Sequence, residues 1–227
     1  MDIILIAGLW LPRSIWDELR AELERRGHQP MPVALPGVDD GSTTATLTDQ
    51  IAAVLEAVDA ADQPMVVGHS AACTLAWMAA DRRPDTIDSV VLIGGFPSSD
   101  GEAYADFFAV TDGVMPFPGW DPFEGPDAAD LDHAARDQFE SIAVAVPEGV
   151  SKGVVTLTDE RRFDMPLLLV CPEYNPDQAR AWIDGGDVPE LSRAKDISYV
   201  DIDTGHWPMV TRPSELARII DEASRKV

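Results

Sequence analysis

Residues 66–73 read Val66-Val67-Gly68-His69-Ser70-Ala71-Ala72-Cys73, or VVGHSAAC. A β-branched pair closes a short apolar strand, small residues fill the turn, and Ala71 to Ala80 continues as a small, apolar, buried helix. The pattern is Gly68-x-Ser70-x-Ala72, the spacing of a sharp strand-to-helix turn that holds a serine at its tip. The backbone of such a serine is strained, so its neighbours must be small. Alanine stands here where a second glycine is usual, one methyl group larger. Two readings follow. Ser70 is a nucleophile, or it is a serine capping an ordinary helix. For a nucleophile, the helix behind it supplies a positive dipole end and the free N–H of Ala71, both suited to an oxyanion.

Outward from this turn, short strands alternate with helices. Ile3 to Ala7 is apolar and rich in β-branched residues, as in a strand buried on both faces. Ile15, Leu19 and Leu23 share one helix face, which Gly27 ends. A short strand near Pro30 to Ala34 follows. Leu47, Ile51, Val54, Leu55 and Val58 recur at helical spacing and predict an amphipathic helix over Thr46 to Ala60. Met65 to Val67 and Ser89 to Ile93 read as strands. Pro166 to Cys171 and Ile197 to Ile202 complete six, with helices near Asp177 to Ile183 and Pro213 to Ser224. This rhythm predicts an α/β fold, a mostly parallel six-stranded sheet with helices on both faces. Between about 95 and 164 the rhythm stops. That segment is rich in Pro, Gly, Phe and Asp and carries one helix near Asp130 to Ala145. It reads as a small cap inserted into a single domain spanning 1–227. It roofs the carboxyl ends of the strands, where pockets of such sheets lie.

The 227 residues are 45% hydrophobic, enough for one core. Seventeen Lys and Arg against 40 Asp and Glu leave a net charge of −23. Such a surface repels phosphate backbones and anionic lipid, so nucleic-acid and membrane partners are not expected. Two cysteines, Cys73 and Cys171, make neither a disulfide framework nor a metal motif and fit two buried thiols in a reducing cytosol. With an apolar strand at the start and neither a basic n-region nor a small-residue cleavage site, no signal peptide is expected, and no apolar run has membrane-spanning length. A cytoplasmic chain is expected, with its oligomeric state left open.

The second catalytic candidate is His206, in DTGHWPM just after the last strand. In a Ser…acid…His order the base comes last. The alternative is a surface or capping histidine. Of the others, His69 is expected to pack beside the turn and His28 to end the first helix. His133 falls on an exposed helix of the insertion. The acid should follow Leu167 to Cys171, where the chain reads CPEYNPDQ. Glu173 is the first choice, with Asp100 after the preceding strand as the second. An Asn175 facing His206 would weaken the site, because a neutral amide cannot stabilise an imidazolium by charge. The loop AGLW, Ala7 to Trp10, offers Leu9 or Trp10 N–H as a second oxyanion donor beside Ala71. Phe107, Phe108, Phe117, Trp120 and Phe123 would line an apolar substrate pocket, or simply pack the core. There is no H-E-x-x-H, Walker or G-x-G-x-x-G pattern, so neither a metal nor a cofactor is expected.

AGLW, GHSAA and TGHWPM followed by RPSEL together resemble the α/β-hydrolase superfamily, in particular small bacterial esterase-like members. The branch also holds plant methylesterases and hydroxynitrile lyases. The resemblance spans nearly the whole chain and is weakest in the insertion. It implies a parallel sheet with a cap, and a triad of Ser70, an acid and His206. It also implies an oxyanion hole from Leu9 or Trp10 with Ala71. The function expected is a cofactor-independent serine hydrolase acting on an ester or lactone of a small apolar molecule. A hydroxynitrile-lyase-like enzyme and a non-catalytic ligand receptor on the same fold are the alternatives.

Overall fold

Strand pairing joins six short strands into one parallel sheet. The computed structural model describes residues 1–225. The chain runs β1 (Asp2–Ile6), α1 (Asp17–Arg25), β2 (Gln29–Pro32), α2 (Leu47–Asp59), β3 (Met65–His69), α3 (Ala72–Arg82) and β4 (Ser89–Ile93). After the long connection come β7 (Leu167–Cys171), α6 (Pro176–Gly185), β8 (Ile197–Asp201), α7 (Pro208–Thr211) and α8 (Pro213–Ala223). The connection itself holds β5 (Val114–Met115), α4 (His133–Ile142), β6 (Val146–Pro147) and α5 (Glu148–Ser151).

The order across the sheet is β2-β1-β3-β4-β7-β8, and every pairing is parallel. Alternate side chains point to opposite faces. Ile3, Leu5, Met65, Val67, Val91 and Ile93 pack beneath α1 and α8, against Leu19, Leu23, Leu216 and Ile220. Ile4, Ile6, Val66, Val90 and Leu92 face α2 and α3 on the other side. Both faces of the central strands are therefore dry, which explains why β1, β3, β4 and β7 read as continuous apolar runs. The Thr46 side chain caps α2 in a reciprocal box with Asp49.

Helix α1 stops at Arg25, and Gly27 follows at φ 88°. His28 therefore lies beyond the helix instead of ending it. Its Nε2 meets Asp221 of α8 at 3.1 Å, joining the two helices of one face.

The order also places the functional end. From β1 the chain builds outward to β2, then returns to the far side of β1 to lay down β3. The strand order reverses between β1 and β3, and ligands of open α/β sheets bind at the carboxyl ends beside such a reversal. The loop starting at Gly8 and the turn at Ser70 flank this point.

The end of the connection is tied down by a buried ionic cluster. Arg162 donates to Asp81 at 3.2 Å and to Glu190 at 2.9 Å. Trp77 Nε1 adds a bond to Glu190 at 2.9 Å, and the Thr158 and Asp159 amides donate to Asp81.

Candidate active site

Ser70 stands at the tip of the β3–α3 turn with φ 55°. The left-handed region is rare for a non-glycine residue and marks a functional or strained position. The sheet enforces it. Ser70 N–H donates to the Ile93 carbonyl of neighbouring β4 at 2.8 Å, and Cys73 N–H closes the turn onto the Ser70 carbonyl at 3.0 Å. A Cβ on residue 68 would run into the Ala72 carbonyl, so Gly68 must be glycine. Ala72 carries its extra methyl into a fully buried position. The capping alternative for Ser70 is not what the turn contains. Ala71 is the cap residue of α3, with no side-chain capping bond, and Ser70 Oγ makes no hydrogen bond among the described residues.

The structure separates the acid candidates. Glu173, just past β7, accepts a hydrogen bond from His206 Nδ1 at 2.8 Å. Asp100 instead accepts from the Leu157 amide at 2.8 Å and serves the connection. Asn175 does not face His206. It is exposed and caps α6 in a reciprocal box with Gln178. The segment NPDQ carries that signature, a capping residue, a proline at the first turn and Gln at the third position. Asp177 is exposed and pairs with Arg180 within the helix.

Two contacts that the sequence pattern does not disclose seat His206. Its amide donates to the Asp127 carbonyl at 2.7 Å, across to the long connection. Gly205 permits this approach, since a Cβ there would overlap the Asp127 carbonyl. The His206 carbonyl accepts a bond from His69 Nε2 at 2.8 Å. A carbonyl can only accept, so Nε2 carries the proton of His69. Burial, reinforced by the neighbouring His206, drives the His69 pKa down to about 3, and the ring stays neutral. Burial likewise pushes the Cys171 thiol up to about 12 and the Cys73 thiol higher, so neither is a nucleophile at neutral pH.

The AGLW loop is a tight turn closed by Leu11 N–H onto the Gly8 carbonyl at 3.4 Å. Among the described residues, the amides of Leu9, Trp10 and Ala71 are bonded to no acceptor. Four of the five aromatic candidates gather above the loop. Phe117 and Phe123 stack at 5.9 Å, Phe108 lies 6.0 Å from Phe123, and Trp120 lies 5.3 Å from Phe117. Phe139 and Trp207 join the cluster. Phe107 stands apart from it, 63% exposed. A cavity of about 10 Å³ beside Gly8 and Leu9, walled by Val38, Tyr104 and Val146, has room for little more than one water. A larger one of about 320 Å³ opens at the amino ends of β3, β4, β7 and β8, the wrong end for Ser70. No cluster of three or more His, Cys, Asp or Glu among the described residues is arranged to hold a metal. No helix is long and apolar enough to cross a membrane, again among the described residues.

Strand order, helical layers and the serine turn define an α/β-hydrolase architecture. The alpha/beta hydrolase family model matches residues 3–219, and the chain belongs to that family. It is 26% identical over 253 residues to Lipase LipV of Mycobacterium tuberculosis, covering 96% of this chain and 91% of that protein. An extracellular alpha/beta-hydrolase from a Paenibacillus species superposes with a TM-score of 0.79 at 18% identity, covering 98% of each chain. That protein is described as sharing structural and functional homology with tobacco salicylic acid binding protein 2. A pyrethroid hydrolase from Sphingobium faniae superposes at 0.72 with 17% identity, covering 100% of this chain and 99% of that one.

Proposed function

We propose that this hydrolase is a cofactor-independent serine esterase or lactonase acting on small apolar substrates through an acyl-enzyme. The observation that carries the reading is the pairing of a strained, unbonded Ser70 with a Glu173–His206 dyad at the same sheet end. Glu173 holds the proton on His206 Nδ1, which leaves Nε2 as the lone-pair nitrogen. In the proposed cycle Ser70 Oγ attacks the carbonyl carbon and passes its proton to His206 Nε2. The oxyanion rests on the Ala71 amide and on the Leu9 or Trp10 amide. The imidazolium, stabilised by Glu173, protonates the leaving alcohol. A water then loses its proton to His206, attacks the acyl carbon and frees Ser70.

The connection from about 95 to 164 acts as the cap. Its aromatic group around Phe108, Phe117, Trp120 and Phe123 supports an apolar substrate, with Phe107 at most at its rim. The related lipase and esterase-like hydrolases favour the same class of chemistry. A reducing, cytosolic setting accords with Cys73 and Cys171 being unpaired.

The test is turnover of a short-chain aryl ester with and without Ser70, together with labelling by a fluorophosphonate. The reading expects hydrolysis and labelling that both vanish in Ser70→Ala. Unchanged turnover in that variant would falsify it. Cyanide release from a cyanohydrin without ester hydrolysis would move the assignment to a lyase.

A further inference from the structure

Trp10 has φ 65°, a left-handed conformation that is an outlier for so bulky a residue. It occupies the third position of the Gly8–Leu11 turn, where a type II turn requires positive φ and glycine or asparagine normally stands. The sign of that φ sets the plane of the Leu9–Trp10 peptide. In a type I turn of the same four residues, its N–H and C=O would point the opposite ways.

The strained residue is gripped from outside the sheet. Its indole Nε1–H donates to the Met115 carbonyl of β5 at 3.2 Å. Its own carbonyl accepts from the Val144 amide, just before β6, at 2.8 Å. Phe108 and Phe117 pack on its ring at 5.5 and 5.4 Å. Strands β5 and β6 pair with each other, Met115 opposite Val146, so both hydrogen bonds come from one small ribbon.

We infer that Trp10 is a positioning residue: held by the β5–β6 ribbon, it keeps the turn after β1 left-handed and its amides set for the oxyanion. This rests on the proposed acyl-transfer reading, and it couples the aromatic cap to the chemical step through one side chain.

Glycine adopts positive φ without strain, whereas alanine does not. Trp10→Ala and Trp10→Gly remove the same indole hydrogen bond and the same ring, yet only the second can hold the turn cheaply. With a short-chain aryl ester, Trp10→Ala should lose about 10²-fold in kcat, the scale of a lost oxyanion donor, with KM changed far less. Trp10→Gly should regain about tenfold of that loss. Labelling of Ser70 by a fluorophosphonate should follow the same order. Equal losses in the two variants, or a loss carried by KM alone, would make Trp10 a pocket wall and overturn the proposal.

If melting curves show Trp10→Ala unfolded, Val144→Pro tests the same grip. Ala143 at ψ 129° already suits a following proline, and the substitution removes the donor to the Trp10 carbonyl while leaving the Trp10 ring in place. It should lower kcat about fivefold at constant KM, the scale of one lost hydrogen bond. Wild-type kcat there counts against the proposal. Full turnover in Ser70→Ala would instead bring down the hydrolase reading, and this proposal with it.

Discussion

The turns after β1 and β3 both place a non-glycine residue at positive φ, Trp10 at 65° and Ser70 at 55°. They are held in different ways. Ser70 is fixed by its own sheet, through the Ile93 carbonyl one strand away. Trp10 is fixed by a ribbon more than a hundred residues further along the chain. Strain in the Ser70 turn is supported by the most buried part of the fold. Strain in the Trp10 turn depends on the β5–β6 ribbon staying in place. The same local geometry can thus be permanent in one loop and conditional in its neighbour.

The largest effect expected is on the sheet-held turn. Ser70→Ala should reduce kcat for an aryl ester by about 10⁶-fold, as loss of a triad serine does, while the melting temperature moves little. A large fall in melting temperature would mean that the hydroxyl is structural. Glu173→Gln should cost about 10⁴-fold in kcat, because an amide no longer fixes the working tautomer of His206 or balances its charge. Steady-state kinetics on the folded variant decides this, and near-normal kcat would require another acid.

Amide exchange compares the turns directly. Ser70 N–H lies in the sheet and should exchange only on near-global opening, whereas Leu11 N–H, closing the Trp10 turn at 3.4 Å, should exchange at least ~10²-fold faster. Equal protection would erase the contrast.

The smallest effect concerns His69, beside both turns. Its pKa is about 3 in the folded chain against an ordinary 6.5, so the unfolded state binds the extra proton between those values. Stability from this group is therefore complete above pH 6.5 and lost on acidification towards 3, by at most about 1.4 kcal/mol per pH unit. His69→Gln keeps a donor for the His206 carbonyl but cannot titrate. Its denaturant midpoint should fall less steeply between pH 6.5 and 4 than that of the wild type.

The sheet was legible because its central strands are short apolar runs buried on both faces, and α2 because Leu47, Ile51, Val54, Leu55 and Val58 recur at helical spacing. The reversal of strand order was not, since it depends on which strand β3 pairs with. The connection was poorly legible because β5 and β6 are two residues long, too short for any periodicity. Ser70 and His206 could be singled out from their positions after strands. Glu173 ranked ahead of Asp100 for standing close behind a strand end, but residue identity could not decide between them. What separates them is that Asp100 is taken by the Leu157 amide. The grips of Asp127 and His69 on His206, and of Met115 and Val144 on Trp10, use backbone groups, which leave no trace in residue identity.

Arg162 has a consequence for how the molecule meets salt. It is one of only 17 basic residues set against 40 acidic ones, yet it is almost wholly buried, shared between Asp81 and Glu190. The acidic excess left outside this cluster repels itself. Added electrolyte screens that exterior, with a Debye length of about 8 Å at physiological strength, but barely reaches a buried pair. Rising ionic strength therefore relaxes the strain of the acidic surface while leaving the internal clamp on α3 at full force.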